Sequence, residues 1–246
     1  MKVTKGLIPA AGSGTRLGPF THAIPKELLP VGDKAVIEHV VEAMVHAGIE
    51  EIAIVVAPQK HGLSDYLGSG KRFGVHFTYV VQDERLGLAD AVLSGEHVMN
   101  GSFAVVLGDN FFSPKSFLAD LIAAHDANHA DATIGVAEVS DVTRHGIIKP
   151  HGDRIIDMIE KPAPDKAPSH LGAIGIYVFE PSIFDAIRAT KPGFKGELQL
   201  TDSIKGEVVA GKKVIFRTID GIHIDVGTPQ DLMRANQWYL NQHNGN

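Results

Sequence analysis

Short aliphatic and β-branched runs alternate along this chain with stretches whose apolar residues recur every three to four positions. The runs "VTKGLIPA", "EIAIVVA", "VHFTYVV", "SFAVVLG" and "DATIGVAEV" read as short buried strands, because both faces of each are apolar. Between them, "KAVIEHVVEAMVHAG" places Val36, Ile37, Val40, Val41, Met44 and Val45 on one helical stripe and stops at Gly48. Further helices are expected near residues 88–99, 114–128, 181–189 and 228–242. The alternation predicts an α/β fold: a mostly parallel sheet with helices on both faces, right-handed crossovers, and ligands at the carboxyl ends of the strands. After about residue 140 the pattern changes to shorter strands and turns, "HGIIKPHGDRIIDMIEKP" and then "GAIGIYVFEP". That change marks a second lobe of one domain rather than a second domain. The segment "KPAPDKAPSH", with its three prolines, is expected as an exposed loop.

Composition narrows the partners. The 246 residues are 44% hydrophobic and 21% charged, enough for one domain with a sizeable core. A formal net charge of −6 offers no broad attraction to nucleic acid or to an anionic membrane, so a small anionic ligand would need a local basic pocket. There is no cysteine, hence neither a disulfide framework nor a thiolate zinc site, which fits a reducing, cytoplasmic setting. The apolar run before the first glycines is too short for a secretory leader, and no run of about 18 apolar residues occurs. A cytoplasmic protein with no nucleic-acid and no membrane partner is expected.

The candidate chemistry begins at "GLIPAAGSGTRLGPF", where a strand runs into a loop of Gly12, Gly14, Thr15 and Arg16. A P-loop would need a Lys-Ser/Thr pair closing GxxxxGK[ST], which is absent. The dinucleotide pattern GxGxxG needs glycine where Leu17 stands, and Gly18 comes one residue late, which weakens an NAD-binding reading. What remains is a glycine loop whose backbone N–H groups can approach phosphate oxygens, with Arg16 to neutralise them. Lys26, in "IPKELLPV", lies between proline-bounded turns, and Arg plus Lys suits a triphosphate. Taken alone, the glycines also serve a tight strand-to-helix connection.

The combination "AAGSGTRL...AIPKELLPV" resembles the N-terminal signature of the sugar-1-phosphate nucleotidylyltransferases. The match runs from residue 6 to about residue 235. "LGLADAVLSGEHVMNGSFAVVLGDNFF" is most similar to the glucose-1-phosphate thymidylyltransferases, whereas "IPAAG" and "AIPKE" are also similar to the bacterial uridylyltransferases. The resemblance implies a Rossmann-like sheet of the nucleotide-diphospho-sugar transferase type. Residues 1–246 would form one nucleotidyltransferase domain, with a nucleotide-binding lobe at about 1–140 and a smaller sugar-binding lobe plus C-terminal helices at about 141–246. It implies that Gly12, Gly14 and Thr15 bind nucleotide, with Gln82 and Gly87 at the pyrimidine base. A glutamine offers both donor and acceptor to an imide edge, so uracil and thymine look alike to it. Gly146, Glu160, Lys161 and Gly175 match sugar-binding positions, the glutamate accepting from sugar hydroxyls and the lysine holding the sugar phosphate. Arg16, Lys26 and Lys161 would be the catalytic cations. Asp109 in "GDN" and Asp225 in "DVGTP" match metal-binding aspartates, and hard carboxylate oxygens suit Mg²⁺. Read without the resemblance, each aspartate is a turn or cap residue after a strand.

The expected reaction joins a nucleoside triphosphate, dTTP before UTP, to a sugar-1-phosphate, glucose-1-phosphate first, with release of pyrophosphate. A uridylyltransferase is the alternative within enzymes, and a non-catalytic sugar-nucleotide sensor is the alternative outside them. A homo-oligomer is expected from the family's habit. Two positions depart from the thymidylyltransferase pattern: His145 replaces a tyrosine before the sugar-loop glycine, and His223 replaces an aromatic residue two before Asp225. Glu197 in "GELQLTD" receives no chemical role, and Thr201 or Asp202 reads as a helix cap. His125 and His129 have i, i+4 spacing, but without an HExxH frame or a third ligand they read as packing or surface residues rather than a zinc site. The chain's last residues, "NQWYLNQHNGN", follow closely on the final expected helix with no hexapeptide repeat, so a single activity is expected.

Overall fold

The computed structural model describes residues 3–243. Thirteen strands are present among the described residues: β1 Lys5–Pro9, β2 Pro30–Val31, β3 Lys34–Ala35, β4 Glu51–Val56, β5 His76–Val81, β6 Phe103–Val106, β7 Asn110–Ser113, β8 Ala132–Glu138, β9 Gly146–His151, β10 Arg154–Glu160, β11 Leu171–Phe179, β12 Val214–Thr218 and β13 Ile222–Asp225. The α-helices are α1 Val36–His46, α2 His61–Leu67, α3 Leu88–Ser94, α4 Phe117–Asn128, α5 Ser182–Ala189, α6 Leu200–Val209 and α7 Pro229–His243.

Nine strands form one sheet in the order β5-β4-β1-β6-β11-β8-β12-β10-β9. The run β5-β4-β1-β6 is parallel throughout, as the β/α alternation of the first half requires. Beyond β6 the directions mix: β11 is antiparallel to both β6 and β8, β12 is parallel to β8, and β9 and β10 form a hairpin. The hairpin strands are where the sequence turns to short runs joined by "HGD", a connection too brief for a parallel crossover.

Helices cover both faces. Apolar residues of α1, α2 and α4, such as Val40, Leu63 and Leu118, pack on one side, and those of α3, α5 and α6, such as Val92, Phe184 and Ile204, on the other. Gly6 shows how tightly α1 seats on β1: a Cβ there would lie 2.8 Å from the Met44 sulfur. The expected stripe of α1 is buried through Met44, but Val45 is 38% exposed and lies on the solvent side. The stripe ends at Met44, which packs against Gly6 of β1, and the chain then turns away at Gly48, φ 82°. Helices α2 and α6 were not anticipated, since the first is one short amphipathic stretch and the second carries Thr, Asp, Ser, Lys and Gly. The segment expected as a helix over 88–99 is α3 followed by a 3₁₀ turn at Glu96–Val98.

A small third core, with Val31, Val36, Phe111, Ile224 and Ala235, fastens α7 to the two-stranded ribbon of β7 and β13. That ribbon matters for chemistry, because it carries the end of the chain back to the carboxyl ends of β1 and β6. No helix among the described residues is long and apolar enough to cross a membrane.

Candidate active site

The parallel arrangement puts the carboxyl ends of β1, β4, β5 and β6 on one edge, and the candidate residues follow those ends. After β1 the chain runs through Gly12 to Gly14, whose φ of 66° favours glycine, into a 3₁₀ turn at Thr15–Leu17. The backbone N–H groups of Ala11, Gly12, Ser13 and Gly14 have no acceptor among the described residues and are left available to a ligand. Lys26 comes over this loop: a Cβ on Gly12 would lie 3.4 Å from its Nζ. Free N–H groups beside an ammonium make an anion cradle. Thr15 and Arg16 are exposed at its rim.

Two carboxylates close the cradle. Asp109 follows β6, and Asp225 ends β13, whose pairing with β7 sets Asp225 opposite Asn110. Strand pairing thus brings together two residues that are remote in sequence. Lys26 forms an ion pair and hydrogen bond with Asp109. Arg16 reaches the same place, for a Cβ on Gly227 would lie 2.8 Å from its Nη2 and 3.3 Å from both carboxylate oxygens of Asp225. Burial opposes ionisation of Asp109, but the Lys26 ammonium outweighs it and holds the carboxyl below its ordinary range. Asp225 is pushed the other way, to about 7, by burial and then by the Asp109 charge. Burial lowers the Lys26 pKa, yet the charges of Asp109, Glu27 and Asp225 more than reverse that and raise it. Two crowded carboxylates that repel each other are a ready seat for a divalent cation. No third His, Cys, Asp or Glu joins them among the described residues, so a Mg²⁺ there would draw its other ligands from phosphate oxygens and water.

A cavity lies on either side of this centre. The first, of about 320 Å³, is lined by Gly12, Ser13, Lys26, Gln82, Gly87 and Asp109, among others. Gln82 is buried, and its Nε2 donates to the Gly87 carbonyl (3.2 Å) and to Asp90 Oδ2 (2.6 Å). Both partners only accept, so the amide is held in one orientation and Oε1 is the group left for a ligand. Gln82 therefore presents an acceptor, not the expected donor–acceptor pair. Gly87 has φ 126°, and a Cβ there would lie 2.5 Å from the Leu198 carbonyl oxygen.

The second cavity, of about 240 Å³, is lined by His145, Gly146, Glu160, Lys161, Gly175, His223 and Asp225, among others. Glu160 Oε2 accepts from Thr201 Oγ1 (2.7 Å), and its Oε1 pairs with Lys161 Nζ at 3.0 Å. Lys161 sits at φ 43°, and its ammonium lies 5.2 Å from the centre of the Phe194 ring. Gly146 admits no side chain, since a Cβ would come 2.4 Å from Thr201 Oγ1. Gly175, at φ 71°, would place one 2.6 Å from Leu107 Cδ1. Burial keeps the two departing histidines neutral, lowering His145 and bringing His223 to about 3. His223 Nε2 faces Asn110 Oδ1 at 3.3 Å.

The residues expected at the nucleotide, the sugar and the metal therefore lie in or beside one cleft. The helix-cap reading of Thr201 and Asp202 does not hold: the N-cap of α6 is Gln199 without a side-chain bond, and Thr201 serves Glu160 instead. Glu197 lines both cavities. Glu27, inside "IPKELLPV" but given no role there, and Lys60, which lies in no motif, form a buried ion pair under the phosphate loop. His125 is a packed core residue bonded to Thr133 and Glu180, and His129 closes α4 at φ 48°.

Residues 5–242 match the nucleotidyl transferase family model. The chain is 37% identical over 240 residues to a low-salt glycan biosynthesis nucleotidyltransferase of Haloferax volcanii, covering 96% of this chain and 66% of that relative, just under two thirds of its length. It is 38% identical over 267 residues to a UTP–glucose-1-phosphate uridylyltransferase of Mycoplasma genitalium, covering 96% of this chain and 91% of the relative. Among solved structures, a UDP-glucose pyrophosphorylase complexed with UDP-glucose superposes with a TM-score of 0.91 at 33% identity, over 98% of this chain and 99% of that one.

Proposed function

Because the chain belongs to the nucleotidyl transferase family, we propose that it joins a nucleoside triphosphate, UTP first, to a sugar-1-phosphate, glucose-1-phosphate first, and releases pyrophosphate. The observation that carries this reading is the Asp109–Asp225 pair, flanked by Lys26 and Arg16 and set between two adjoining cavities with Lys161 in the second. The order of nucleotides differs from the expected one. The uridylyltransferase relative and the UDP-glucose-bound fold support UTP before dTTP, and the Gln82 acceptor suits the imide N–H that both bases share.

In this reading an oxygen of the sugar-1-phosphate attacks the α-phosphorus in line, and pyrophosphate departs. Little covalent chemistry falls to the protein; its work is to align two anions that repel each other and to neutralise them. Arg16, Lys26 and the N–H groups of the Gly12–Gly14 loop hold the triphosphate. Lys161, released from Glu160, holds the attacking phosphate, and Glu160 turns to sugar hydroxyls. Asp109 and Asp225 would hold Mg²⁺, which when bound supplies charge stabilisation at the phosphate oxygens.

The test is pyrophosphate release in a grid of UTP, dTTP, CTP, ATP and GTP against several sugar-1-phosphates, with and without a chelator. Chelator-sensitive release with UTP and glucose-1-phosphate is expected, reduced about 10²- to 10³-fold in Asp109→Asn or Lys26→Ala. Full turnover by either variant contradicts the assignment. Silence across the grid from folded protein favours a non-catalytic binding role.

A further inference from the structure

Lys60 belongs to none of the chain's motifs, yet it lies at the junction of three strand ends. It caps the start of α2, just beyond β4, and its side chain is 9% exposed. Its ammonium donates to the Ala10 carbonyl at 2.8 Å and to both oxygens of Glu27 at 2.9 and 2.8 Å. All three ammonium hydrogens are thereby used. Ala10 is the residue from which the phosphate loop departs. Glu27, itself 1% exposed, has its stem against Gly108, where a Cβ would lie 3.2 Å from Glu27 Cγ. Gly108 precedes Asp109. The Lys60–Glu27 pair therefore ties the ends of β1, β4 and β6 together directly beneath the cradle.

The charge on Glu27 has a second claimant. Lys26 is the next residue in the chain, and its charge acts on Glu27 as well as on Asp109. A buried carboxylate without a partner draws in whatever cation can reach it, because the desolvated charge is otherwise uncompensated. With Lys60 in place Glu27 is already satisfied through both oxygens, and Lys26 stands free to point at Asp109 and the loop.

We propose that Lys60 is a positioning residue for triphosphate binding: by neutralising Glu27 and tethering the Ala10 carbonyl, it keeps Lys26 and the loop N–H groups directed at the phosphates. The proposal rests on the nucleotide reading of this site and deepens it. Lys60 touches no reacting atom; it acts through Lys26 and the loop.

UTP and uridine binding, measured by calorimetry with Mg²⁺ on the full chain, separate this role from a merely structural one. Lys60→Met is expected to weaken UTP about tenfold or more while leaving uridine, which has no phosphates, unchanged. Adding Glu27→Gln to Lys60→Met removes the stranded carboxylate and is expected to recover part of the UTP affinity, since Lys26 is released again. Unchanged UTP affinity in Lys60→Met, equal loss of uridine, or a double variant no tighter than the single one overturns the proposal. Should Lys60→Met fail to fold, the double variant is compared with Glu27→Gln alone, which keeps the tether to Ala10. The double variant must then bind UTP more weakly, and equal affinities overturn the proposal. An unaltered protein that binds UTP but releases no pyrophosphate refutes the proposed reaction while the ranking still decides the role of Lys60; one that binds no UTP refutes both.

Discussion

Glu207 shows what a single buried carboxyl does when the fold supplies only half its partners. Its Oε1 accepts from Ser182 at 2.7 Å, Oε2 has no partner among the described residues, and the side chain is 2% exposed. Burial raises its pKa, so the neutral acid is the form the fold prefers. The resulting stability is complete below the ordinary carboxylate pKa and is lost as pH rises through the raised folded value. Glu207→Gln stays neutral throughout, so its advantage over the native protein is expected to grow from near zero at pH 4 to about 1–3 kcal/mol at pH 8, read from urea unfolding at each pH. A pH-independent difference would contradict this. Gln82 makes a residue-scale statement about substrate. With Nε2 committed to Gly87 and Asp90, its free Oε1 can accept from the N3–H of uracil or thymine but meets another acceptor at N3 of cytosine. CTP is therefore expected to fall about 10²-fold or more below UTP in kcat/KM, and Gln82→Met to shrink that ratio. Of the candidate site residues, Gly12, Asp109 and Lys161 were recognisable because their motifs are local; the pairing of Glu27 with Lys60 was not, because a charge pair across 33 positions leaves no spacing to read.

At the level of elements, α1 separates pattern from packing. Its 3.6-residue period is plain in the sequence, but the edge of the apolar stripe is drawn by what lies opposite. Met44 is fully buried against Gly6 of β1, whereas Val45 is 38% exposed. Met44→Ala is expected to cost about 2–5 kcal/mol of stability by denaturant unfolding, against roughly 0.5 kcal/mol or less for Val45→Ala. Similar losses at the two sites would mean that α1 seats differently. The connection after β5 behaves in the opposite way: its geometry is dictated from outside. Leu198 N donates to the Leu86 carbonyl (2.7 Å), Ala89 N donates to the Leu198 carbonyl (3.1 Å), and Gly87 is pressed between them. In the sequence Gly87 is placed beside the base by resemblance, and only the crossing of the segment near Leu198 explains why no side chain fits there. The missed helix α6 follows the same logic, since its weakly patterned residues are held by packing against β10 and α5 rather than by a strong stripe of their own.

The whole molecule is organised by one sheet that does not respect the order of the chain. Strand β11 is inserted between β6 and β8, and β12 between β8 and β10, so the later part of the chain completes a sheet begun by the earlier part. Interleaving of this kind couples the two halves, and calorimetry is expected to give a single cooperative transition with equal van't Hoff and calorimetric enthalpies. Two resolved transitions would show that the halves unfold independently. Residue types and their spacing along the chain decided the alternation of strands and helices, the glycine loop after β1, and the aspartates at strand ends. Those features depend on interactions within a few residues, where periodicity and turn chemistry act. Tertiary structure alone decided that Asp225 meets Asp109 through the β13–β7 pairing, that Gln82 keeps only an acceptor free, and that Lys60 reaches Ala10 and Glu27. Each of these is a contact between distant segments, and its energy comes from burial and charge compensation that do not exist until the sheet has closed around it.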